Sequence, residues 1–360
     1  MSRKHRLLPV AVGLGIAILG HTGRVSAQPS SGLPTVVVLA TGGTIAGAAA
    51  TNVQSGYTSG QVGVDQLIAA VPEAKKFANM RGEQISNIGS QDMNDEVWLK
   101  LANRINALVA MPDVAGIVIT HGTDTIEETA YFLDLVVKSR KPVVLTAAMR
   151  PATALSADGP LNFFNAVAVA ASKEAVGRGV LVVVNDWIHD AASLTKTSTT
   201  AVQTFWSPLS GLIGTVAYGQ IEFYRGPVGK NTANSEFSVD GVTTLPRVDI
   251  IMAHENMDGA LIDAAAAAGA KGIVIAGVGN GNLTDKAVKA LAAQAKKGVV
   301  CVRASRVTTG RVGRNVELED DKLGFIASLD KNPQKARVLL RLALLKTQSL
   351  ADVQRIFDEY

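Results

Sequence analysis

Two short segments of the sequence pair glycine with threonine in a pattern that suits nucleophilic chemistry. The segment TGGTIAG contains Thr44, and the segment HGTDT contains Thr123 and Asp124. Threonine is a weak nucleophile at neutral pH and needs a neighbouring base or an electropositive setting. Asp124 follows Thr123 directly, and Lys196 stands in the polar segment LTKTSTT, so a lysine, a carboxylate and a threonine could pass a proton between them. If the chain has a nucleophile, these residue types indicate a threonine.

The same residues also have structural interpretations. Asp124 could cap a helix, because Glu127 follows it three residues later as in a capping box. Lys196 could be a solvated loop lysine, and Thr44 and Thr123 could be turn formers. Composition and spacing alone therefore leave a catalytic and a purely structural interpretation open.

The elements that must position these residues are buried strands that alternate with helices. Short valine-rich runs without polar alternation are typical of parallel strands covered on both faces, and they occur here at Val36–Ala40, Val114–Ile119, Val143–Thr146 and Val180–Val184. Between them, apolar residues recur at helical spacing, as at positions 126, 130, 133 and 137. The pattern predicts an α/β fold with a larger N-terminal, doubly wound, mostly parallel sheet and helices on both faces. Ligands bind beyond the carboxyl ends of such strands, where both threonine segments stand.

The alternation stops near residue 222 and resumes after a stretch rich in glycine, asparagine and proline. A smaller C-terminal α/β domain is predicted there, with strands at Val248–Ala253, Gly272–Ala276 and Gly298–Val302, helices at Ala260–Ala270 and Asp285–Ala295, and a helical end from Pro333 to Tyr360 that breaks at 347–349. The predicted organisation is a signal peptide at 1–27, an N-terminal catalytic domain at 28–224, a linker at 225–246 and the C-terminal domain at 247–360.

The N-terminus has the three parts of a secretory signal. The basic start MSRKHR is followed by a 14-residue apolar stretch, LLPVAVGLGIAILG, and then by Val-Ser-Ala at 25–27, so that Gln28 would be the first mature residue. The apolar stretch is shorter than the roughly 20 residues that span a membrane, which favours export and cleavage over a retained anchor. The expected location is periplasmic or secreted, without membrane association after cleavage.

Composition and motifs argue against several other classes of protein. Residues 1–27 hold four of the 35 lysines and arginines and no acidic residue, so the rest of the chain has 31 basic and 31 acidic residues and no charge excess for nucleic acid. The single cysteine, Cys301, cannot form an intrachain disulfide, and no histidines have zinc-ligand spacing. P-loop, dinucleotide-binding and GxSxG patterns are absent. No metal and no cofactor is predicted.

The motifs carry a resemblance to a known family. The sequence resembles the bacterial type II L-asparaginases, a family that includes the periplasmic glutaminase-asparaginases. The matching segments are ATGGTIAG (40–47), RGEQISNIGSQDMND (81–95), ITHGTDTIEETAYFLDL (119–135), AMRPATALSADGP (148–160), RGVLVVVND (178–186), LTKTSTT (194–200), AGVGNGNL (276–283) and NPQKARVLL (332–340). The resemblance implies hydrolysis of the side-chain amide of asparagine, with varying activity on glutamine, by a homotetramer of intimate dimers.

The resemblance also implies roles for individual residues. Thr44 matches the primary nucleophile, and Tyr57 matches a tyrosine that assists it from a mobile lid. A second catalytic triad is matched by Thr123, Asp124 and Lys196. Substrate-binding positions are matched by Ser90, Gln91, Asp124, Ala148, Asn282 and Glu317. The last two match second-domain residues that reach the site of a neighbouring subunit.

Three other functions stay open at this point. An exported amino-acid-binding protein would also have two α/β domains and a signal peptide, although it would not need Thr44, Thr123 and Lys196 together. A glutaminase-dominant amidohydrolase would share the same motifs and differ in substrate order. An amidotransferase subunit is disfavoured by the predicted export, because its ATP and tRNA are cytoplasmic.

Overall fold

The computed structural model describes residues 32–360 except 52, 54–57 and 59, so the predicted signal peptide and Tyr57 lie outside the described residues. The strands of the described chain are β1 (Thr35–Gly42), β2 (Asn79–Ile88), β3 (Val114–Thr120), β4 (Val143–Thr146), β5 (Val180–Val184), β6 (Trp187–Asp190), β7 (Thr195–Lys196), β8 (Phe205–Trp206), β9 (Gly214–Ala217), β10 (Gln220–Phe223), β11 (Val248–Met252), β12 (Gly272–Gly277), β13 (Val300–Ser305) and β14 (Phe325–Ala327).

The α-helices of the same residues are α1 (Val64–Ala69), α2 (Asp95–Val109), α3 (Ile126–Val136), α4 (Gly159–Ala171), α5 (Ala260–Ala267), α6 (Asp285–Lys296), α7 (Asp320–Leu323), α8 (Pro333–Ala343) and α9 (Leu350–Glu359). Short 3₁₀ helices lie at Thr44–Ala46, Pro72–Lys76, Ser90–Asp92, Lys173–Ala175 and Thr232–Asn234. No helix in this part of the chain is long and apolar enough to cross a bilayer.

The larger sheet has the described strands in the order β10-β9-β6-β5-β4-β3-β1-β2. Strands β2, β1, β3, β4 and β5 run parallel, and β6, β9 and β10 are antiparallel to their neighbours. Almost every residue of β1, β3, β4 and β5 is buried. The four valine-rich strands predicted from the sequence are therefore confirmed, because strands covered on both faces need apolar residues throughout.

Helices cover both faces of this sheet. Along β1, Val37 and Leu39 belong to a core cluster that includes residues of α2 and α3. Val36 and Val38 point the other way, into a cluster with residues of α1 and α4. Successive strand residues face opposite sides, so each side of the sheet needs its own helical layer. The predicted doubly wound arrangement is confirmed.

The smaller sheet is parallel throughout, in the order β11-β12-β13-β14. One face packs on α5 and α6, through residues such as Ile262 and Leu291. The other face packs on α8, which also packs against α3 of the larger sheet. Residues of α8 such as Leu339 share one core cluster with β1 and α3. The predicted smaller C-terminal α/β part is confirmed, and α8 lies between the two sheets.

Four strands that the sequence patterns did not predict lie towards the two edges of the larger sheet. β2 is a partly exposed edge strand with many polar residues, and β6, β9 and β10 are only four residues long each. Such strands lack a continuous apolar run. Some predicted bounds also differ from those of the structure. The strand predicted at Gly298–Val302 corresponds to β13, which begins at Val300. Gly298 has φ +92°, which is incompatible with a regular strand.

Candidate active site

The two threonine segments meet where the strand order of the larger sheet changes direction. β1 and β3 are neighbours, and from β1 the chain passes outward to β2 before it returns to β3. Thr44 follows β1 in the 3₁₀ helix Thr44–Ala46, and Thr123 follows β3. The carboxyl ends of two such strands leave a crevice between them that commonly binds ligands.

Two glycines bring the backbones of these segments into direct contact. Gly43 has φ +82°, and a Cβ on it would lie 2.4 Å from the Gly122 nitrogen. A Cβ on Gly122 would lie 2.5 Å from the Ser90 hydroxyl oxygen and 3.2 Å from the Gly43 Cα. Glycine is required for such an approach, because any side chain would separate the two turns. The glycines thus bring Thr44, Thr123 and Ser90 into one neighbourhood.

Lys196 links the second threonine to its neighbouring carboxylate. Its Nζ donates to the Thr123 hydroxyl at 2.9 Å and to Asp124 Oδ1 at 2.6 Å. Thr123 is buried, the Lys196 side chain is 19% exposed and the Asp124 side chain is 57% exposed. Asp124 is therefore accessible to solvent, while its Oδ1 atom holds the lysine amine near the threonine. A lysine held in this way can exchange a proton with the hydroxyl.

The helix cap expected from Asp124 and Glu127 is wrong. Helix α3 begins at Ile126 with Thr125 as its N-cap residue, and the Thr125 side chain makes no capping hydrogen bond. The Asp124 carboxylate pairs with Lys196 instead. Glu127 Oε2 accepts a hydrogen bond from the Lys196 backbone N–H at 3.3 Å. Both carboxylates therefore bind Lys196, about 70 residues further along the chain. The spacing of residues in the sequence does not reveal such a contact.

Ser90 and Gln91 stand beside this group at the end of β2. The Ser90 hydroxyl accepts a hydrogen bond from the Asp124 backbone N–H at 3.1 Å, and its carbonyl accepts one from the Thr125 hydroxyl at 2.7 Å. Ser90 is buried, whereas Gln91 is exposed. The structure therefore joins Ser90 directly to the Thr123–Asp124 turn and leaves the Gln91 amide accessible.

Ala148 and Ile45, the residue after Thr44, both pack against Gly159. Ala148 is buried after β4, and a Cβ on Gly159 would lie 3.3 Å from the Ala148 Cβ and 3.1 Å from Ile45 Cγ1. Thr44 itself is buried, and its carbonyl accepts a hydrogen bond from the Gly47 N–H at 2.8 Å. The close packing of Gly159 thus keeps the segment after β4 near the segment after β1.

Asn282 and Glu317 form a separate pair in the C-terminal half. Asn282 follows β12 in a turn closed by a bridge with Val278, and its side-chain amide donates to Glu317 Oε2. Glu317 is exposed in the segment before α7. The structure thus brings these two predicted residues to each other.

The buried residue His121 lies beside the site, directly before Gly122. Its Nδ1 lies 2.7 Å from the Gly122 carbonyl oxygen, and burial lowers its pKa to about 4. The imidazole is therefore neutral at physiological pH and adds no charge near Thr123. Within the described part of the chain, no group of three or more histidine, cysteine, aspartate or glutamate side chains is arranged to hold a metal ion.

Comparison with known proteins places these features in a family. The family models described as "Asparaginase, N-terminal" and "Glutaminase/Asparaginase C-terminal domain" match residues 35–229 and 247–357. A Haemophilus influenzae protein named "Probable L-asparaginase periplasmic" is 54% identical over 93% of this chain and 96% of its own length. A "Glutaminase-asparaginase" of Pseudomonas aeruginosa is 45% identical over 99% of this chain and 99% of its own length.

A solved structure agrees with these matches. The "Probable Cytoplasmic L-asparaginase from Campylobacter jejuni" has a TM-score of 0.88 and 46% sequence identity, and the match covers 91% of this chain and 100% of that chain. Fold and sequence together define an enzyme of the hydrolase class. The chain belongs to the asparaginase family, which confirms the resemblance carried by its motifs.

Proposed function

We propose that this enzyme hydrolyses L-asparagine to L-aspartate and ammonia, with L-glutamine as a secondary substrate. The observation that carries the proposal is the Lys196 amine, which lies within hydrogen-bond distance of both the Thr123 hydroxyl and the Asp124 carboxylate. The relatives named L-asparaginase and glutaminase-asparaginase support the choice of substrates. An amino-acid-binding protein would not need this arrangement.

Two threonines divide the reaction between them in this proposal. The Thr44 oxygen attacks the amide carbon, the Thr44 proton passes to the departing nitrogen, and ammonia leaves an aspartyl ester on Thr44. Tyr57, outside the described residues, assists from the lid. A water oriented by Thr123 then attacks the ester. The water proton passes to the unprotonated form of the Lys196 amine and from there to the Thr44 oxygen. Asp124 holds the Lys196 amine in place.

The tetrahedral oxyanion needs donors that are already oriented. Backbone N–H groups of Thr44 and Thr123 stand in glycine-flanked turns and are our candidates for that role. One preorganised donor of this kind typically contributes about 3 kcal/mol to catalysis. The contact between Gly43 and Gly122 supports the assignment because it keeps the two turns side by side.

The substrate is a zwitterion, so its two charged ends need different partners. We assign the α-carboxylate to Ser90 and the α-ammonium to Asp124 and Gln91. The Asp124 carboxylate is the exposed acidic group of the site, which suits an ammonium partner. The Ala148 carbonyl would accept a hydrogen bond from the amide nitrogen.

We further propose that the site is completed in an oligomer. Asn282 and Glu317 would reach the site of a neighbouring subunit in an intimate dimer, and two dimers would form a tetramer. Their mutual hydrogen bond and the exposure of Glu317 support a role at a surface. The active dimer is expected to dissociate into weakly active monomers, which analytical ultracentrifugation combined with an activity assay would detect.

The domain bounds and location are part of the same proposal. We propose a catalytic domain at 28–224, a linker at 225–246 and a second domain at 247–360. The family matches at 35–229 and 247–357 support a division of the chain in this region. We propose removal of residues 1–27 and a periplasmic or secreted enzyme. The relative named periplasmic supports this location, whereas the solved relative is named cytoplasmic.

The test compares turnover with binding for the mature chain that begins at Gln28. Ammonia release and equilibrium binding are measured with L-asparagine and L-glutamine in parallel. Turnover of asparagine that exceeds turnover of glutamine would support the proposal. Tight binding without ammonia would make this an exported binding protein, and faster turnover of glutamine would make it a glutaminase.

A further inference from the structure

Two buried charged side chains hold the backbone that carries Lys196. The Lys335 amine donates to the Leu194 carbonyl oxygen, and Glu127 Oε2 accepts from the Lys196 N–H at 3.3 Å. Lys335 is 3% exposed and Glu127 is 5% exposed. Lys335 lies in the first turn of α8, within the segment NPQKARVLL (332–340). The proposed reaction assigns no role to this segment. The two side chains come from different helices, α3 and α8, and they bind the two ends of the segment 194–196.

The Lys196 N–H requires such an acceptor because of the hairpin in which it lies. Lys196 pairs with Phe205 across β7 and β8, and the neighbouring Thr197 N–H donates to the Thr204 carbonyl at 2.8 Å. Hydrogen-bonded and non-hydrogen-bonded pairs alternate in an antiparallel ladder, so the Lys196 N–H points away from β8. Glu127 supplies the acceptor that the hairpin does not.

The N-terminus of α8 contacts the middle of the segment as well. Asn332 caps α8 by accepting from the Lys335 N–H at 2.9 Å, and its amide lies 3.5 Å from the Thr195 hydroxyl. Leu194, Thr195 and Lys196 are therefore each contacted by a side chain of α8, of its N-cap residue or of α3. The position of the Lys196 amine relative to Thr123 thus depends on both helices.

Burying Lys335 carries an electrostatic penalty. Desolvation lowers its pKa, and the negative charges of Glu127, Asp190 and Asp330 oppose that shift. An apolar side chain of similar length would fill the same space without desolvating a charge, but it would leave the Leu194 carbonyl oxygen without this donor. The directed hydrogen bond to Leu194 is what the charged residue adds at this position.

We propose that Lys335 and Glu127 are positioning residues that fix the Lys196 amine against Thr123 and Asp124. The inference rests on the proposed amidohydrolase function and deepens it. Neither residue touches the substrate. They act on the rate of the chemical step through the backbone of Lys196, so their loss lowers kcat and leaves substrate binding nearly unchanged.

The test replaces Lys335 by methionine and measures kcat, KM and thermal unfolding. The matched control is Lys331→Met, which removes another buried lysine whose amine donates to Asp330 and to the Phe357 carbonyl. For Lys335→Met we expect kcat to fall about 10- to 100-fold, since a displacement of about 1 Å can cost about 100-fold. KM should stay the same or fall, because Lys196 acts after the ester has formed. Lys331→Met is expected to keep kcat within about twofold of wild type even if its Tm falls.

Glu127 provides a second, independent arm that remains available if Lys335→Met does not fold. Glu127→Gln keeps a side-chain oxygen that accepts from the Lys196 N–H, whereas Glu127→Ala removes it. We expect Glu127→Gln to retain most of the kcat that Glu127→Ala loses, with no rise of KM in either variant. Equal kcat for the two variants would overturn the inference.

Lys196→Ala, assayed in the same series, distinguishes a failure of the positioning role from a failure of the catalytic role of Lys196. An active wild type, an inactive Lys196→Ala and a Lys335→Met indistinguishable in kcat from Lys331→Met would overturn the positioning role alone. An active wild type together with a fully active Lys196→Ala would overturn both the catalytic role of Lys196 and the inference built on it. A wild type that releases no ammonia would do the same.

Discussion

Gly43 and Gly122 pack backbone against backbone, so that a Cβ on Gly43 would lie 2.4 Å from the Gly122 nitrogen. This contact joins the turn after β1 to the turn after β3. It is the reason that Thr44 and Thr123 occupy one crevice although they are far apart in sequence.

Gly43→Ala is expected to abolish activity and to destabilise the protein strongly. The methyl group would meet backbone atoms, which cannot move aside, and the residue has φ +82°. Gly241→Ala is the matched control, because Gly241 has φ +73° with no atom within 4 Å of its Cβ position. The control should lose only the conformational penalty of about 1–2 kcal/mol. Equal losses of unfolding free energy in urea would contradict the close-packing account.

Ser90→Ala is expected to raise KM for asparagine and to lower kcat as well. The variant loses the proposed α-carboxylate partner, and the Asp124 N–H loses its acceptor at 3.1 Å. A lost acceptor of this kind costs about 1–3 kcal/mol. Ser172→Ala is the control, since the Ser172 hydroxyl also accepts a backbone N–H, that of Glu174, at 3.1 Å but at an exposed helix start. Steady-state kinetics that show no difference between the two variants would refute the role of Ser90.

Asp134 predicts a pH dependence of stability. Burial, with a smaller contribution from Asp190, raises the pKa of the Asp134 carboxyl to about 8 from its ordinary value of 3.8. Between about pH 4 and pH 8 the folded protein binds a proton that the unfolded chain does not. Stability from this group is therefore fully present below about pH 4 and falls as pH rises, by about 1.4 kcal/mol per pH unit.

The Asp134→Asn variant tests this dependence. Asparagine keeps the oxygen that accepts from the Val180 N–H at 2.7 Å and cannot ionise. We expect the Tm of Asp134→Asn relative to wild type to be higher at pH 8 than at pH 5. A difference in Tm that is the same at both pH values would show that Asp134 does not titrate in this range.

The Arg303–Asp320 pair is expected to hold the loops that carry Asn282 and Glu317. Both side chains are 0% exposed, Arg303 Nε lies 2.6 Å from Asp320 Oδ1, and Arg303 Nη1 also donates to the Asn280 carbonyl at 2.7 Å. Arg303→Met should cost about 3–5 kcal/mol, because it leaves a buried charge unpaired.

The exposed pair Arg314–Asp321 provides the control for this prediction. Its N–O distance is 2.7 Å, but its side chains are 42% and 54% exposed. Arg314→Met should therefore cost less than about 1 kcal/mol. Similar losses of unfolding free energy for the two arginine variants, measured in urea, would contradict the importance of the buried pair.

Some of this site could be predicted from the sequence, and some depends on tertiary proximity. The strands that carry Thr44 and Thr123 were predictable because fully buried strands are runs of apolar residues. The partners of Lys196 were not all predictable, since Glu127 was expected at a helix cap and Lys335 lies on α8, the helix between the two sheets. Tyr57, outside the described residues, stays a prediction.

The central claim is that Thr44 attacks the substrate and Thr123 serves the second step. Its most direct test is acid quenching of the protein with L-asparagine during turnover, followed by mass spectrometry of the chain and its peptides. We predict an aspartyl ester on Thr44 that is absent in Thr44→Ala and accumulates in Thr123→Ala. An ester on Thr123, or near-native ammonia release by Thr44→Ala, would contradict the account.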